Sequence, residues 1–397
     1  MSGISQLRKY VEVDKEKIRL LEGLRPEPRL MMCKPTFKSK GDSVPSDDFD
    51  SLENALLCDY DVLDSLDYSE KREIKLEKYC PKCQRQFGDD ENICPDCLVI
   101  LKKISDIVDI KSISREPNLE YVKGKDSGNI LTSENIELIN TFDFTIDDFK
   151  DVLHSIRAQA FANLDGLIRD NGMDLDDMDV LDKIILFAKS FVNVEYKSYG
   201  EELGYFEFDK IYVDDRQRTS LQITTIIHEL SHFLIKEILT RTVCEILDCT
   251  KNRHVESVVT YILTYSVFNN LIDEYAAHSV EGRFTIFGYQ DYSSFIALQS
   301  DLDPEHIDIA KTIGNTFSIY IKDMLEGFID WDLREEIKNQ FLADTIEKPN
   351  YAQLSFESCN RLNDEGFMKA IWLILSEGFQ NADAEVIESY EQQFTKK

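Results

Sequence analysis

The chain has 397 residues, of which 43% are hydrophobic and 11% aromatic, so it is long enough for two or three domains with buried cores. Its formal net charge of −30 and pI of about 4.6 disfavour nonspecific binding to nucleic acid, because such a surface repels phosphate backbones. Met1–Leu30 lacks the apolar core of a secretion signal, and the most apolar stretch, Val258–Leu271, is short and interrupted by polar residues. These features predict a cytoplasmic protein with no membrane partner.

Residues 1–70 have the composition of an N-terminal arm and linker with short helices. One or two helices are expected between Leu7 and Leu24, because prolines follow at Pro26 and Pro28. The stretch from 35 to 70 is rich in proline, glycine, aspartate and serine, which favours a linker with one short acidic helix.

Residues 71–105 contain two C-P-x-C knuckles, one formed by Cys80 and Cys83 and the other by Cys94 and Cys97. Each knuckle can point two thiolates at one ion, and the hairpin between them brings the pairs together. Four sulfur ligands at about 2.3 Å complete a closed tetrahedral Zn²⁺ site. The alternatives are disulfides and unpaired buried thiols. The lack of a secretion signal argues against disulfides.

This module resembles the zinc-ribbon family over roughly 25 residues. It departs from that family after each knuckle, where Gln84 and Leu98 stand in place of the common glycine. A closed site of four cysteines has no open coordination position, so the resemblance implies a structural zinc. It also implies that the ribbon binds a protein partner, contacts nucleic acid, or only caps a domain.

Residues 106–140 look extended or irregular and predict a second linker, whereas residues 141–397 predict one mostly helical domain. The run from Thr145 to Asp148 resembles a capping box with Asp in place of Glu, and apolar residues follow it at helical spacing. Aromatic and β-branched residues then predict strands at Asn193–Tyr199 and Tyr205–Val213.

A long apolar helix is expected next, capped by Thr219 or Ser220, and it carries the motif His228-Glu229-Leu230-Ser231-His232. The two histidines stand four residues apart, so both imidazoles lie on one helix face and can reach the same ion. In enzymes with the H-E-x-x-H motif, the glutamate is the general base. A His-Glu pair on so apolar a helix would be costly to bury without a metal.

The motif and the strand before it resemble the zincin metallopeptidases. The metzincin extension is excluded, since Ile235 and Ile238 occupy its glycine and third histidine positions. The sequence Asp273-Glu274-Tyr275 on a later helix is similar to gluzincins, including the ImmA/IrrE-like peptidases. The resemblance implies Glu274 as the third zinc ligand, with His278 either as a hydrogen-bonding partner that orients a ligand or as a competing ligand. The other candidates are Glu237, Glu245, Glu256 and His254.

The expected fold is α+β, a mostly helical zincin-like domain with a small sheet, preceded by the ribbon. The resemblance implies two zinc ions and hydrolysis of a protein or peptide that pairs with the Phe206–Val213 edge. Tyr, His or Arg residues often stabilise the oxyanion in these enzymes, and the available ones are Tyr275, Arg283, Tyr289 and His306. The alternatives are a ribbon-based binding or regulatory protein with an inactive peptidase-like domain, and a nucleic-acid regulator that the acidic charge disfavours.

Overall fold

The structure is a computed structural model. It describes residues 4–13, 76–80, 82–83, 85–88, 91–103, 109–113, 128–197, 203–207, 209–285, 292–344 and 360–395. The acidic helix expected before residue 70 lies outside these residues. The helix expected from Leu7 is wrong at its start, because Ile4–Tyr10 form a 3-10 helix and a strand follows directly.

The strands are β1 (Val11–Val13), β2 (Leu76–Tyr79), β3 (Gln86–Gly88), β4 (Lys102–Lys103), β5 (Asn193–Lys197), β6 (Gly204–Glu207), β7 (Lys210–Asp214) and β8 (Asn360–Leu362). The helices are α1 (Ser133–Thr141), α2 (Ile146–Asn171), α3 (Val180–Phe191), α4 (Thr219–Leu247), α5 (Arg253–Thr264), α6 (Val267–Phe284), α7 (Ser293–Gln299), α8 (Pro304–Leu325), α9 (Trp331–Ala343), α10 (Asp364–Gln380) and α11 (Ala384–Thr395). Further 3-10 turns lie at Ile110–Ser112 and Leu175–Asp177.

The protein is mostly helical with small sheets, which confirms the expected α+β class at that level. The chain forms two compact units, one from residues 27–107 and one from residues 1–26 together with 108–397. In the part of the chain that the structure describes, every helix is too short or too polar to cross a membrane.

The smaller unit is built on an antiparallel sheet with strand order β3-β2-β4. Among its described residues, the buried core consists of Cys80, Cys94 and Leu101, with few other apolar groups packed around them. The Lys78 ammonium donates to the backbone carbonyl of Glu91 at 2.9 Å, which holds the segment before the second knuckle. So small a core rarely stabilises a fold unless a metal or another crosslink adds to it.

The larger unit begins its helical core earlier than the sequence suggested. Within residues 106–140, which were expected to form a linker, residues 133–140 instead form most of α1, and Ile130 and Ile139 are fully buried. The Thr132 side chain caps this helix by accepting from the Asn135 N–H. The capping box predicted at Thr145 is confirmed at the start of α2.

Helix α4 is buried around most of its circumference and passes through the centre of the larger unit. Its N-cap is Arg218, so the prediction of Thr219 or Ser220 as the cap is wrong, because both lie inside the first turn. The carboxylate of Asp344, at the end of α9, accepts from the Ser220 N–H at 2.8 Å. A residue distant in sequence therefore supplies the capping interaction that no local side chain provides.

A three-stranded sheet with order β5-β7-β6 packs beside α4. Strand β7 lies in the centre, parallel to β5 and antiparallel to β6. The expected edge at Phe206–Val213 is therefore wrong in part. This run folds into two strands, of which β6 lies at an edge of the sheet and β7 lies in its centre. A Cβ at Gly204 would lie 2.4 Å from Cγ2 of Thr225, so glycine lets β6 approach α4 closely.

Helix α6 packs against both α4 and α8 in the core of the larger unit. Its contact with α8 is close at Gly314, where a Cβ would lie only 2.7 Å from the carbonyl oxygen of Ile272. Ala276 and Ala277 on α6 are fully buried. Small residues at this contact fix the height and rotation of α6, which carries Asp273, Glu274 and Glu281.

Candidate metal centres

The two cysteine knuckles meet in the smaller unit. The sulfur atoms of Cys80, Cys83, Cys94 and Cys97 lie within 4.8 Å of one another, and all four are free thiols. The sulfurs of Cys83 and Cys94 are 3.5 Å apart, and the Cys83 N–H donates to the Cys80 sulfur at 3.4 Å. Four thiols so placed could hold one metal ion.

The local backbone explains how the second knuckle closes. Leu98 has a φ of 55°, the left-handed conformation for which glycine is usually selected. The Cys94 N–H donates to the carbonyl of Val99, and the Leu98 N–H donates to the carbonyl of Cys94, both at 2.9 Å. The missing glycine therefore leaves the turn intact, with the strain placed on an exposed leucine.

The four thiols and the backbone around them shift the pKa values of individual cysteines. Burial would raise the pKa of Cys80, but the backbone N–H groups of Cys83 and Lys82 lower it to about 7. Burial raises the pKa of Cys97 to about 12, and the neighbouring thiols add to this effect. The cluster thus favours one thiolate over several, unless a cation offsets their mutual repulsion.

The second centre starts on α4, where His228 and His232 face the same side. Their Nε2 atoms are 3.1 Å apart, and both side chains are 14% exposed. From α6, a carboxylate oxygen of Glu274 lies 3.4 Å from Nε2 of His232, and the other lies 4.0 Å from Nε2 of His228. The structure therefore brings the three predicted side chains together, within the spacing at which they could hold a metal ion.

Two further carboxylates hold the imidazoles from behind. Asp273 lies 2.9 Å from Nδ1 of His232, and Glu281 lies 3.2 Å from Nδ1 of His228. A carboxylate that accepts from Nδ1–H leaves the lone pair of Nε2 directed into the centre. The sequence analysis missed both roles, although Asp273 adjoins Glu274 and Glu281 follows it by seven residues, about two helical turns.

His278 lies beside this centre and not among its three donors. Its Nδ1 is 3.0 Å from the same Glu281 oxygen that His228 contacts, and its Nε2 is 3.4 Å from Glu274. His228, His278 and Glu281 form an adjacent group whose atoms also lie within 4.8 Å. His278 therefore lies where it can orient the donors of this centre or compete with Glu274 as a ligand, and both options stay predictions.

The carboxylates and imidazoles of the centre shift one another's pKa values. Burial would raise the pKa of Glu274, but His232 and His278 hold it well below its usual value. Burial would lower the pKa of His232, but Asp273 and Glu274 raise it well above its usual value. Protons and a metal cation therefore compete for the same cluster of buried carboxylates and imidazoles.

Glu229 lies beside the centre and is 7% exposed. Burial raises the pKa of its carboxyl, while His228 and His232 oppose that shift, and the Phe206 N–H of β6 donates to it. A desolvated carboxylate held in this way is more basic than one in water, which suits proton transfer near neutral pH.

The centre opens into a cleft of about 440 Å³. It lies between β6, the face of α4, and residues of α5, α6, α7 and α11. The lining residues are Gly204, Tyr205, Phe206, Glu207, His228, Glu229, His232, Lys236, Thr260, Leu263, Thr264, Asp273, Glu274, Ser294 and Tyr390. The Ser294 hydroxyl donates to Glu274 and helps to hold that carboxylate.

The register of β6 determines which backbone groups face the cleft. The Asp214 N–H donates to the carbonyl of Leu203, so Tyr205 and Glu207 are the residues of β6 that exchange hydrogen bonds with β7. The backbone groups of Gly204 and Phe206 therefore point away from β7. This outer edge borders the cleft beside Glu229.

The other predicted residues lie elsewhere. Three of the four candidates for oxyanion stabilisation do not line the cleft, and Tyr289 lies outside the described residues; the three are Tyr275, Arg283 and His306. The remaining ligand candidates have other partners or settings: Glu237 pairs with Arg241 and Lys251, Glu256 pairs with Lys251, His254 contacts Glu391, and Glu245 borders a separate cavity.

Comparison with protein-family models, with curated proteins and with solved structures gives no match for this chain.

Proposed function

We propose that this protein is a zinc-dependent peptidase that resembles the zincins and uses the His228, His232 and Glu274 centre. The observation that carries the proposal is the convergence of these three donors with a buried carboxylate, Glu229, at a cleft bordered by a strand edge. Each part serves peptide hydrolysis, and a purely structural metal site requires neither the cleft nor Glu229.

The spacing of the donors fits zinc. Two zinc–nitrogen bonds of about 2.0–2.1 Å at the tetrahedral angle separate the nitrogens by about 3.3 Å, and the two Nε2 atoms are 3.1 Å apart. Four zinc–sulfur bonds of about 2.3 Å separate neighbouring sulfurs by about 3.8 Å, and the Cys83 and Cys94 sulfurs are 3.5 Å apart. Histidine with carboxylate, and four thiolates, are both donor sets that zinc accepts.

The roles of the residues follow from their positions. Bound zinc would supply Lewis acidity, which polarises a carbonyl and makes water more acidic. Glu229 takes the proton of the attacking water and passes it to the leaving amine. Asp273 and Glu281 keep the Nε2 atoms of the histidines directed inward. The substrate backbone pairs with the outer edge of β6 through the backbone of Gly204 and the carbonyl of Phe206, because the Phe206 N–H already donates to Glu229.

The cysteine centre serves structure in this proposal, since four protein sulfurs leave no position for a substrate. A second candidate function is binding of a protein partner by the ribbon, with the His/Glu centre inactive. It is favoured by three exposed aliphatic side chains around the second knuckle, Ile93, Leu98 and Ile100. Binding of that kind does not depend on Glu229, so one variant separates the two functions.

The test is the substitution Glu229→Gln, assayed on a library of randomised peptides with products identified by mass spectrometry. Turnover should fall by about 10²–10⁴-fold, the usual effect of losing a general base. Zinc content and melting temperature should remain near wild type, because no ligand changes. The control is Glu245→Gln, which removes a carboxylate from the same helix outside the cleft and should leave turnover unchanged. Equal turnover by Glu229→Gln and the wild type would refute the peptidase proposal.

A further inference from the structure

Helix α4 ends in a backbone motif that brings two cysteines together. Asp248 follows the helix in the left-handed conformation, with a φ of 46°. The Cys249 N–H donates to the carbonyl of Cys244 at 3.0 Å. The Asp248 N–H donates to the carbonyl of Glu245 at 3.4 Å. These two bonds define a Schellman motif, in which the side chains at the two ends of the loop often make an apolar contact. In this protein both of those end positions are cysteine.

The two cysteine side chains meet beneath the surface of the helix end. Cys244 and Cys249 are each 1% exposed. Between them in the chain, Glu245 and Asp248 are exposed, so the thiols lie under a helical turn that itself faces solvent. Both cysteines are thiols in the structure, and their side chains are hydrogen-bonded to each other. This hydrogen bond, together with burial, raises the pKa of Cys244. The thiols are therefore held in contact and protonated while the helix end is closed.

The backbone at this helix end has the spacing that a disulfide requires. The 3.0 Å hydrogen bond, combined with standard bond lengths, limits the Cα–Cα distance between Cys244 and Cys249 to about 6.9 Å. The actual distance is shorter, because the bonds are not collinear, and disulfides usually join Cα atoms about 4.4–6.8 Å apart. The segment after the motif is anchored as well, since the Lys251 ammonium binds the Glu237 carboxylate on α4 at 2.6 Å. Cys249 is therefore fixed to α4 from both sides.

We infer that Cys244 and Cys249 are a redox modification site, at which a disulfide locks the C-terminal end of α4. The oxidant is a small disulfide of the glutathione class, which reaches a thiol when the last helical turn opens. One cysteine thiolate attacks that disulfide and releases the first small thiolate. The second cysteine thiolate attacks the mixed disulfide and releases the other. Two protein thiols are oxidised, the S–S bond of the oxidant is reduced, and the two protons pass to the released thiolates. This site is independent of the proposed peptidase function.

The experiment equilibrates the full-length zinc-loaded protein in mixtures of reduced and oxidised glutathione, with and without urea. The remaining thiols are then alkylated and the protein is digested with trypsin. Trypsin cuts after Arg241 and Lys251 and releases residues 242–251 as one peptide that contains both cysteines. Mass spectrometry of this peptide separates an internal disulfide from two alkylated thiols and from a glutathione adduct. Equilibrium is approached from reduced and from oxidised protein, so slow reaction of the buried thiols does not decide the result.

The folded protein should form this disulfide with an effective concentration about tenfold or more above that of the protein in urea, because a positioned pair of groups exceeds a flexible chain. Oxidation should also slow amide hydrogen exchange at Cys249, since the closed ring keeps the last turn from opening. The matched control combines Cys244→Ala with Val243→Cys, which moves the thiol about 100° around the helix and keeps two cysteines in the peptide. It should lose the preference for the folded state. Equal or weaker disulfide formation in the folded wild type, a glutathione adduct in its place, or an unchanged preference in the control would overturn the inference.

Discussion

The two candidate metal centres of this protein are built in opposite ways. The cysteine centre draws all its donors from residues 80–97 and is surrounded by a very small core. The histidine centre joins two long helices, and its donors are held by further carboxylates, a serine and a close helix contact. The first site can form locally, whereas the second exists only when the larger unit has folded around it.

This difference separates what a metal contributes to each unit. In the smaller unit, the free energy of metal binding is expected to be folding free energy, because few other contacts among its described residues hold the knuckles together. In the larger unit, the apolar packing of α4 and α6 stabilises the fold, so removal of the ion should cost function before it costs structure. Each variant below changes one of the two centres.

The largest effect is the loss of a whole ion. Purified protein should carry about two zinc ions per chain. Cys94→Ser combined with Cys97→Ser should lose one ion and unfold the smaller unit, while His228→Ala should lose the other and leave the smaller unit folded. Metal analysis by plasma mass spectrometry, with proteolysis as the folding probe, distinguishes the two losses. A single ion that survives His228→Ala would remove the histidine centre.

The next effect separates a ligand from its neighbour. Glu274→Ala should abolish zinc binding at the histidine centre, because Glu274 is the only carboxylate among the three donors in the described centre. His278→Ala should weaken it by about 10–100-fold, as expected for a group that acts through a ligand. Zinc titration with a competing chelator measures both. The opposite ranking would make His278 the ligand.

A comparable effect is expected from the carboxylates behind the histidines. Asp273→Asn and Glu281→Gln should each weaken zinc binding by about 10–100-fold, with Glu281→Gln nearer the upper limit because Glu281 contacts two imidazoles. Asp303→Asn is the control, since Asp303 contacts Nδ1 of His306 in the same way outside the cleft. Wild-type affinity in both test variants would show that the histidines need no orienting partner.

The smallest effect tests the helix contact. Gly314→Ala places a Cβ 2.7 Å from the Ile272 carbonyl oxygen, so the backbone of α6 or of α8 must shift. Zinc affinity at the histidine centre should fall by less than about tenfold, since coordination tolerates small displacements of one ligand. Affinity at the cysteine centre should not change. Gly166→Ala on α2, where the added Cβ meets no atom within 4 Å, is the matched control.

The sequence was most informative where chemistry is local. The two knuckles and the spacing of His228 and His232 follow from short-range geometry, and the structure brings those residues together as expected. Glu274 followed from the resemblance to gluzincins, and the structure places it with the two histidines. Its role as a ligand stays a prediction.

The sequence was least informative where distant segments meet. The cap on α4 comes from Asp344, and one wall of the cleft comes from Tyr390, and neither position carries a local signal. The alternation across residues 206–213 predicted strands. It could not show that the run divides into β6, at an edge of the sheet, and β7, in the centre. The oxyanion candidates were chosen by residue type alone, and the described ones lie outside the cleft because residue type does not determine the direction of a side chain.

The pairing of β1 with β8 has a consequence for biosynthesis. Val11 of β1 lies opposite Leu362 of β8, so about 350 further residues must be synthesised after β1 before its partner strand exists. At about 5–20 residues per second, that wait lasts roughly 17–70 seconds. The cysteine knuckles, in contrast, emerge within 18 positions of each other and can capture an ion early in translation. Vectorial synthesis therefore lets the four cysteines come together long before β1 can pair with β8.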